Sequence, residues 1–186
     1  MARRPLAVAI TGGIAAGKSE ALAAFGRHGA ATLSADEIVH DLLAEDAEVR
    51  AAIGERWGDD AVGDRARIGE IVFRDRGELD WLERLLHPKT RAATDAWLAS
   101  VDAPLAVVEV PLLYETGGEK RFDAVVVLTA SPDVREARRP GFADRESRFL
   151  PEDEKVRRAD FSFVNDGSLE ALDAFVGEVT EALCGS

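Results

Sequence analysis

Gly12-Gly13-Ile14-Ala15-Ala16-Gly17-Lys18-Ser19 fits the pattern G-x-x-x-x-G-K-[ST] and lies between an apolar run at 6–11 and a helical pattern at 18–27. A short buried strand that ends in glycines and turns into a helix is the context in which this pattern binds phosphate. The glycines let the backbone curl until successive N–H groups converge on phosphate oxygens, and the helix amino end adds partial positive charge. On this reading Gly12, Gly13, Ile14, Ala15, Ala16 and Gly17 cradle the phosphates of a nucleotide, and Lys18 meets the β and γ phosphates. The Ser19 hydroxyl is a ligand for Mg²⁺, a hard cation that takes oxygen donors and shares itself with substrate phosphates. The motif alone does not separate a kinase from a GTPase, an ATPase or a regulatory switch.

Working outward, strand patterns recur at 30–33, 105–110, 123–129 and 159–164, with helical patterns at 36–44, after Ser131-Pro132-Asp133, and at 168–183. Strands alternating with helices predict a parallel sheet covered on both faces. The expected fold is therefore α/β: a three-layer P-loop NTPase-type sandwich with a five-stranded parallel sheet. Ser34 or Asp36 is placed to cap the second helix. Leu169, Leu172, Phe175, Val176, Val179 and Leu183 form the inner side of the last one. Residues 46–101 read as mostly helical, interrupted at 58–64 and at His87-Pro88, where proline is expected to end or kink a helix. This gives one domain with a core at about 1–45 and 103–186, a helical lobe at about 46–102 and a short charged, lid-like segment at about 139–151.

The 186 residues suffice for one domain with a real core, and 46% hydrophobic with 31% charged residues is the balance of a folded chain. No apolar run approaches bilayer length and no signal-peptide pattern opens the sequence, so a cytoplasmic location is expected. A net charge of −12 disfavours nucleic acid as a partner and leaves small molecules, with the chain a monomer or weak homo-oligomer. The single Cys184 lacks a partner for a disulfide or a metal site and is expected to be inert.

Phosphoryl transfer is mainly positioning and charge stabilisation, with one carboxylate placed to take the proton of the attacking hydroxyl. Asp36, just past the second strand at the carboxyl edge of the predicted sheet, is the candidate, with simple helix capping as its alternative role. At this point a family resemblance becomes specific. The loop from Thr11 to Ser19 with Ser34-Ala35-Asp36-Glu37-Ile38, then Leu86-His87-Pro88, Glu109-Val110-Pro111-Leu112-Leu113-Tyr114-Glu115, and Ala159-Asp160 with Asn165-Asp166-Gly167, resembles the ordered motifs of dephospho-CoA kinases. The resemblance covers nearly the whole chain. It implies transfer of the γ-phosphoryl group of ATP to the ribose 3′-hydroxyl of dephospho-CoA, with Asp36 as general base. It further implies that His87, Pro111, Leu112 and Leu113 shape the acceptor pocket, that Arg91 is a phosphate contact, and that Asn165 and Gly167 lie near the adenine. His87 serves equally well as a packing neighbour of proline, and Glu115 as a solvated loop carboxylate.

Between 135 and 148 stand Arg135, Arg138, Arg139, Arg145 and Arg148 against Glu136, Asp144 and Glu146, a local charge of +2 in an acidic chain. A moving segment of arginines can close over ATP and neutralise transferred charge. A salt-bridged surface helix is the other reading. Arg138 and Arg139 are accordingly catalytic candidates and Arg148 an ATP contact. Relative to the family pattern this segment is shortened, and Glu109 stands where Asp is usual. The remaining function classes are another small-molecule P-loop kinase, acting on a nucleoside, nucleotide or sugar-like alcohol, and an inactive nucleotide-binding regulator.

Overall fold

The computed structural model describes residues 4–141, 146 and 149–185. Five strands, β1 Leu6–Gly12, β2 Ala31–Ser34, β3 Leu105–Glu109, β4 Ala124–Thr129 and β5 Phe161–Val164, form one sheet in the order β2-β3-β1-β4-β5. Every pairing is parallel, with Val8 opposite Val107, Ser34 opposite Glu109, Thr11 opposite Val127 and Thr129 opposite Val164. The fold is the α/β P-loop type that the sequence predicts. β1, β3 and β4 read as unbroken apolar runs because both of their faces are covered. Val8, Ile10, Val107, Val126 and Leu128 pack with Phe25 of α1 (Lys18–Arg27) and with Leu172, Val176 and Val179 of α8 (Leu169–Cys184). On the opposite face Ala9, Val125 and Val127 meet Leu113, Tyr114 and Ala159.

Phe25 is wholly buried in the first of these cores. Truncating a buried aromatic removes its transfer energy and leaves a cavity, so Phe25→Ala is expected to cost about 3–5 kcal/mol. Urea unfolding of the variant against the parent checks this; a loss under about 1 kcal/mol would mean that the core collapses around the gap.

Residues 35–97 form a separate compact unit, and the rest of the chain forms the sheet unit. The helical unit holds α2 (Ala35–Glu45), α3 (Ala47–Trp57), a 3₁₀ turn at Asp59–Ala61, α4 (Arg65–Arg74) and α5 (Arg76–Ser100) as far as residue 97. It has its own core of Leu43, Val49, Ile53, Ala61, Ile68, Leu82 and Leu86. Asp46 caps α3 by accepting from Val49 N at 2.9 Å and also accepts from Lys89 Nζ at 3.0 Å. The Val49 amide first, then Lys89, hold its carboxyl below the usual range.

Three expectations are corrected, and one helix is added. Pro88 neither ends nor divides a helix, because α5 runs from Arg76 to Ser100 with Pro88 inside it. Proline forfeits one backbone bond there, but it lies exposed while Leu82 and Leu86 beside it are buried, and their packing offsets one missing bond. Asp36 lies inside the first turn of α2 and does not precede it as a cap. Leu169, expected on the inner side of the last helix, is 61% exposed: it opens α8, one residue past the Ser168 cap, before the apolar stripe meets the sheet. A helix that the sequence did not suggest, α7 (Glu152–Arg158), comes before β5.

The remaining helix, α6, spans Pro132–Arg138. Residues 142–145, 147 and 148 of the expected lid, Arg145 and Arg148 among them, lie outside the described residues. Cys184 is exposed, and among the described residues no helix is long and apolar enough to cross a membrane.

Candidate active site

Because all strands run the same way, the turns that follow β1, β3, β4 and β5 leave the sheet at its carboxyl edge, where open α/β sheets bind ligands. The loop after β1 is shaped by two glycines in the left-handed half of conformational space. Gly12 has φ +147°, and a Cβ there would stand 2.0 Å from Leu128 O. Gly17 has φ +95°, and its Cβ would stand 2.2 Å from Asn165 Nδ2. A side chain at Gly12 would push the loop off β4, and one at Gly17 would sit in a strained backbone conformation and displace the Asn165 amide.

Lys18 opens α1, and its Nζ donates to Gly13 O at 2.8 Å and Gly12 O at 3.3 Å, so the ammonium folds back over the loop. The Ser19 hydroxyl donates to Glu109 Oε2 at 3.3 Å, and Glu109, at the end of β3, is 6% exposed. The Ser19 hydroxyl and a buried carboxylate make a pair of hard oxygen donors of the kind Mg²⁺ takes when phosphates and water supply the rest of its shell. Among the described residues no group of three His, Cys, Asp or Glu side chains is placed to hold a metal ion.

Helix α6, which follows β4, and the turn after β5 close on the same loop. Asn165 is buried and donates from Nδ2 to Ala16 O at 3.0 Å. Arg138 donates to Ala15 O at 3.2 Å and to Asn165 O at 2.9 Å. Arg135, 4% exposed, donates from Nε to Ile14 O at 2.9 Å and from Nη1 to Glu152 at 2.7 Å, and its Nη2 pairs with Glu146. Glu146 in turn accepts from Ile14 N at 2.6 Å. Burial pushes the Glu152 carboxyl up, while the Arg135 guanidinium beside it pulls the other way.

Of the sequence-predicted residues, the sheet unit therefore brings together the whole glycine loop, Lys18, Ser19, Arg138 and Asn165. Arg139 and Gly167 are exposed in the adjoining turns, and Arg148 lies outside the described residues. Pro111 and Leu112 are partly exposed after β3, whereas Leu113 is wholly buried in the second core and serves packing. In the helical unit Asp36 is exposed and lines an open hollow of about 540 Å³ with Glu37, His40, Asp41 and Arg65. His87 is half-buried and Arg91 exposed, both on α5.

The sequence named Arg135 only as one of five arginines between 135 and 148, and did not single out Glu152 or the Glu115–Lys155 pair. Lys155 is 1% exposed and meets Glu115 at 2.8 Å, while Glu115 also accepts from Leu150 N at 2.9 Å. Glu115 thus anchors α7 and is not a solvated carboxylate. The available signal was a Lys and an Arg at positions where a short amphipathic helix turns its inner side.

The dephospho-CoA kinase family pattern matches residues 6–171. A dephospho-CoA kinase of Rhodopseudomonas palustris (strain HaA2) is 38% identical over 95% of each chain. Among solved structures, the Thermus thermophilus protein TT1252 superposes with a TM-score of 0.81 at 30% identity, covering 97% of this chain and 99% of that one. A dephospho-CoA kinase from Campylobacter jejuni gives 0.72 at 26% identity, covering 96% and 97%.

Proposed function

The chain belongs to the dephospho-CoA kinase family, and on that premise we infer how its residues divide the reaction. It is a kinase that transfers the γ-phosphoryl group of ATP to the ribose 3′-hydroxyl of dephospho-CoA, the last step of coenzyme A synthesis. The observation that carries this reading is the glycine loop with Lys18 folded over it and the Ser19 hydroxyl turned to Glu109.

The amides of Gly13 to Lys18 receive the β and γ phosphates, and Lys18 leaves the loop carbonyls for phosphate oxygens. Ser19 and Glu109 are the residues that would hold Mg²⁺, which when bound neutralises charge on those oxygens. Asp36 accepts the proton of the 3′-hydroxyl as its oxygen bonds to the γ phosphorus, and the bond from that phosphorus to the β–γ bridging oxygen breaks to release ADP. Arg138 and Arg139 offset the charge in transit, and Arg148 is assigned as an ATP contact. Asn165 and Gly167 border the adenine. His87, Arg91, Pro111, Leu112 and Leu113 are assigned to the acceptor; the burial of Leu113 gives it the role of supporting Pro111 and Leu112 from behind. The net charge of −12 favours small molecules over nucleic acid as partners, and we assign the chain to the cytoplasm as a monomer or weak homo-oligomer.

The test is ATP consumption by the purified chain with Mg²⁺, comparing dephospho-CoA with adenosine, AMP and shikimate, and mass spectrometry of the product. Dephospho-CoA alone is expected to gain one phosphate and become coenzyme A. Preferred phosphorylation of any other acceptor would overturn the assignment of substrate.

A further inference from the structure

Three successive carbonyls of the glycine loop are held by three side chains from segments that follow other strands, two from α6 and one from the turn after β5: Ile14 O by Arg135, Ala15 O by Arg138 and Ala16 O by Asn165. A trans peptide carries its C=O and the next residue's N–H on opposite sides, so a side chain that fixes the carbonyl also aims that amide away from it. Between the first two clamps lies Ala15, with φ +60°, the one non-glycine residue in the left-handed region among those described. Alanine is strained there by its Cβ, and such a conformation persists only where the surroundings over-determine it. The peptide before Ala15 is held by Arg135 and the peptide after it by Arg138.

We propose that Arg135 is a positioning residue for nucleotide binding: through the Ile14 carbonyl it keeps Ala15 left-handed and so aims the Ala15 amide at phosphate. Arg138 is exposed and is assigned above to the transferred charge, whereas Arg135 is buried, with one guanidinium nitrogen on Glu152 and another on Glu146. A fork held by two carboxylates presents its Nε to the loop in one orientation. The residue therefore need not touch substrate to act on substrate affinity.

This rests on the glycine loop being the ATP phosphate site, so the experiment reads ATP binding directly, by titration calorimetry of Mg·ATP into the full chain, with dephospho-CoA titrated separately. Arg135→Met is expected to weaken ATP about tenfold while the affinity for dephospho-CoA stays within about twofold. Arg135→Lys keeps a cation beside Glu152 but loses the planar fork, and should weaken ATP by a smaller factor. Glycine adopts positive φ without strain, so adding Ala15→Gly to Arg135→Met should recover much of the lost affinity. Unchanged ATP affinity in both Arg135 variants would overturn the proposal. So would equal losses for both substrates, or no recovery on adding Ala15→Gly, because a residue that merely ties α6 to α7 would give those results. If the parent chain bound no ATP, the reading of the loop itself would fall, and that outcome is distinct from a loop that binds ATP and ignores Arg135.

Discussion

Replacing Lys18 with alanine is expected to lower kcat/KM for ATP by about 10³-fold, or roughly 4 kcal/mol of transition-state stabilisation. The ammonium stands at the amino end of α1 and donates to loop carbonyls, Gly12 O at 3.3 Å and Gly13 O at 2.8 Å. Phosphates entering the loop offer full negative charge in place of those dipoles, and the attraction grows as charge redistributes in transfer. Lys18→Arg should not restore the rate. A guanidinium is larger and planar, and the space is set by Gly12, Gly13 and Gly17. Lys18 is only half-buried, so the fold should survive, and circular dichroism before and after would confirm that the loss is one of function. Steady-state rates at varied ATP make the measurement; activity within tenfold of the parent would remove Lys18 from the transition state.

For Asp36→Asn the expectation is a fall in kcat of about 10²- to 10⁴-fold with the affinity for ATP nearly unchanged. The substitution keeps shape and removes the basic oxygen, so it separates proton acceptance from bulk. Asp36 is exposed in the first turn of α2, where a carboxylate also favours the helix amino end, and asparagine forfeits only that modest gain in stability. Saturating both substrates and measuring turnover, with ATP binding measured in parallel, decides the matter. Near-normal turnover would return Asp36 to a helix-end role.

Much of this molecule can be read from its chain. The loop from Gly12 to Ser19, the parallel sheet and α1 follow from patterns whose physics is local: unbroken apolar runs for strands with two covered faces, and glycines where the backbone must curl. What escaped reading depends on partners distant in sequence. Pro88 sits within α5 because Leu82 and Leu86 beside it are buried in a core of their own. The helix α7 is charged on most sides, and its inner side is defined by Lys155, whose buried ammonium makes sense only with Glu115 forty residues earlier. Arg135 likewise looks like one of several surface arginines until Ile14, more than a hundred residues away, is seen beneath it. Pattern gives the elements, whereas burial of charge is a property of pairs.

The common direction of the strands bears on how this enzyme can change over time. Every turn of the sheet unit named in phosphate handling leaves one edge, so substitutions near Leu6, Ala31, Leu105, Ala124 or Phe161, where the strands begin, fall outside the chemistry. Lineages, or a laboratory selection for heat tolerance, can therefore rework that edge without disturbing turnover, while the opposite edge stays under selection for rate.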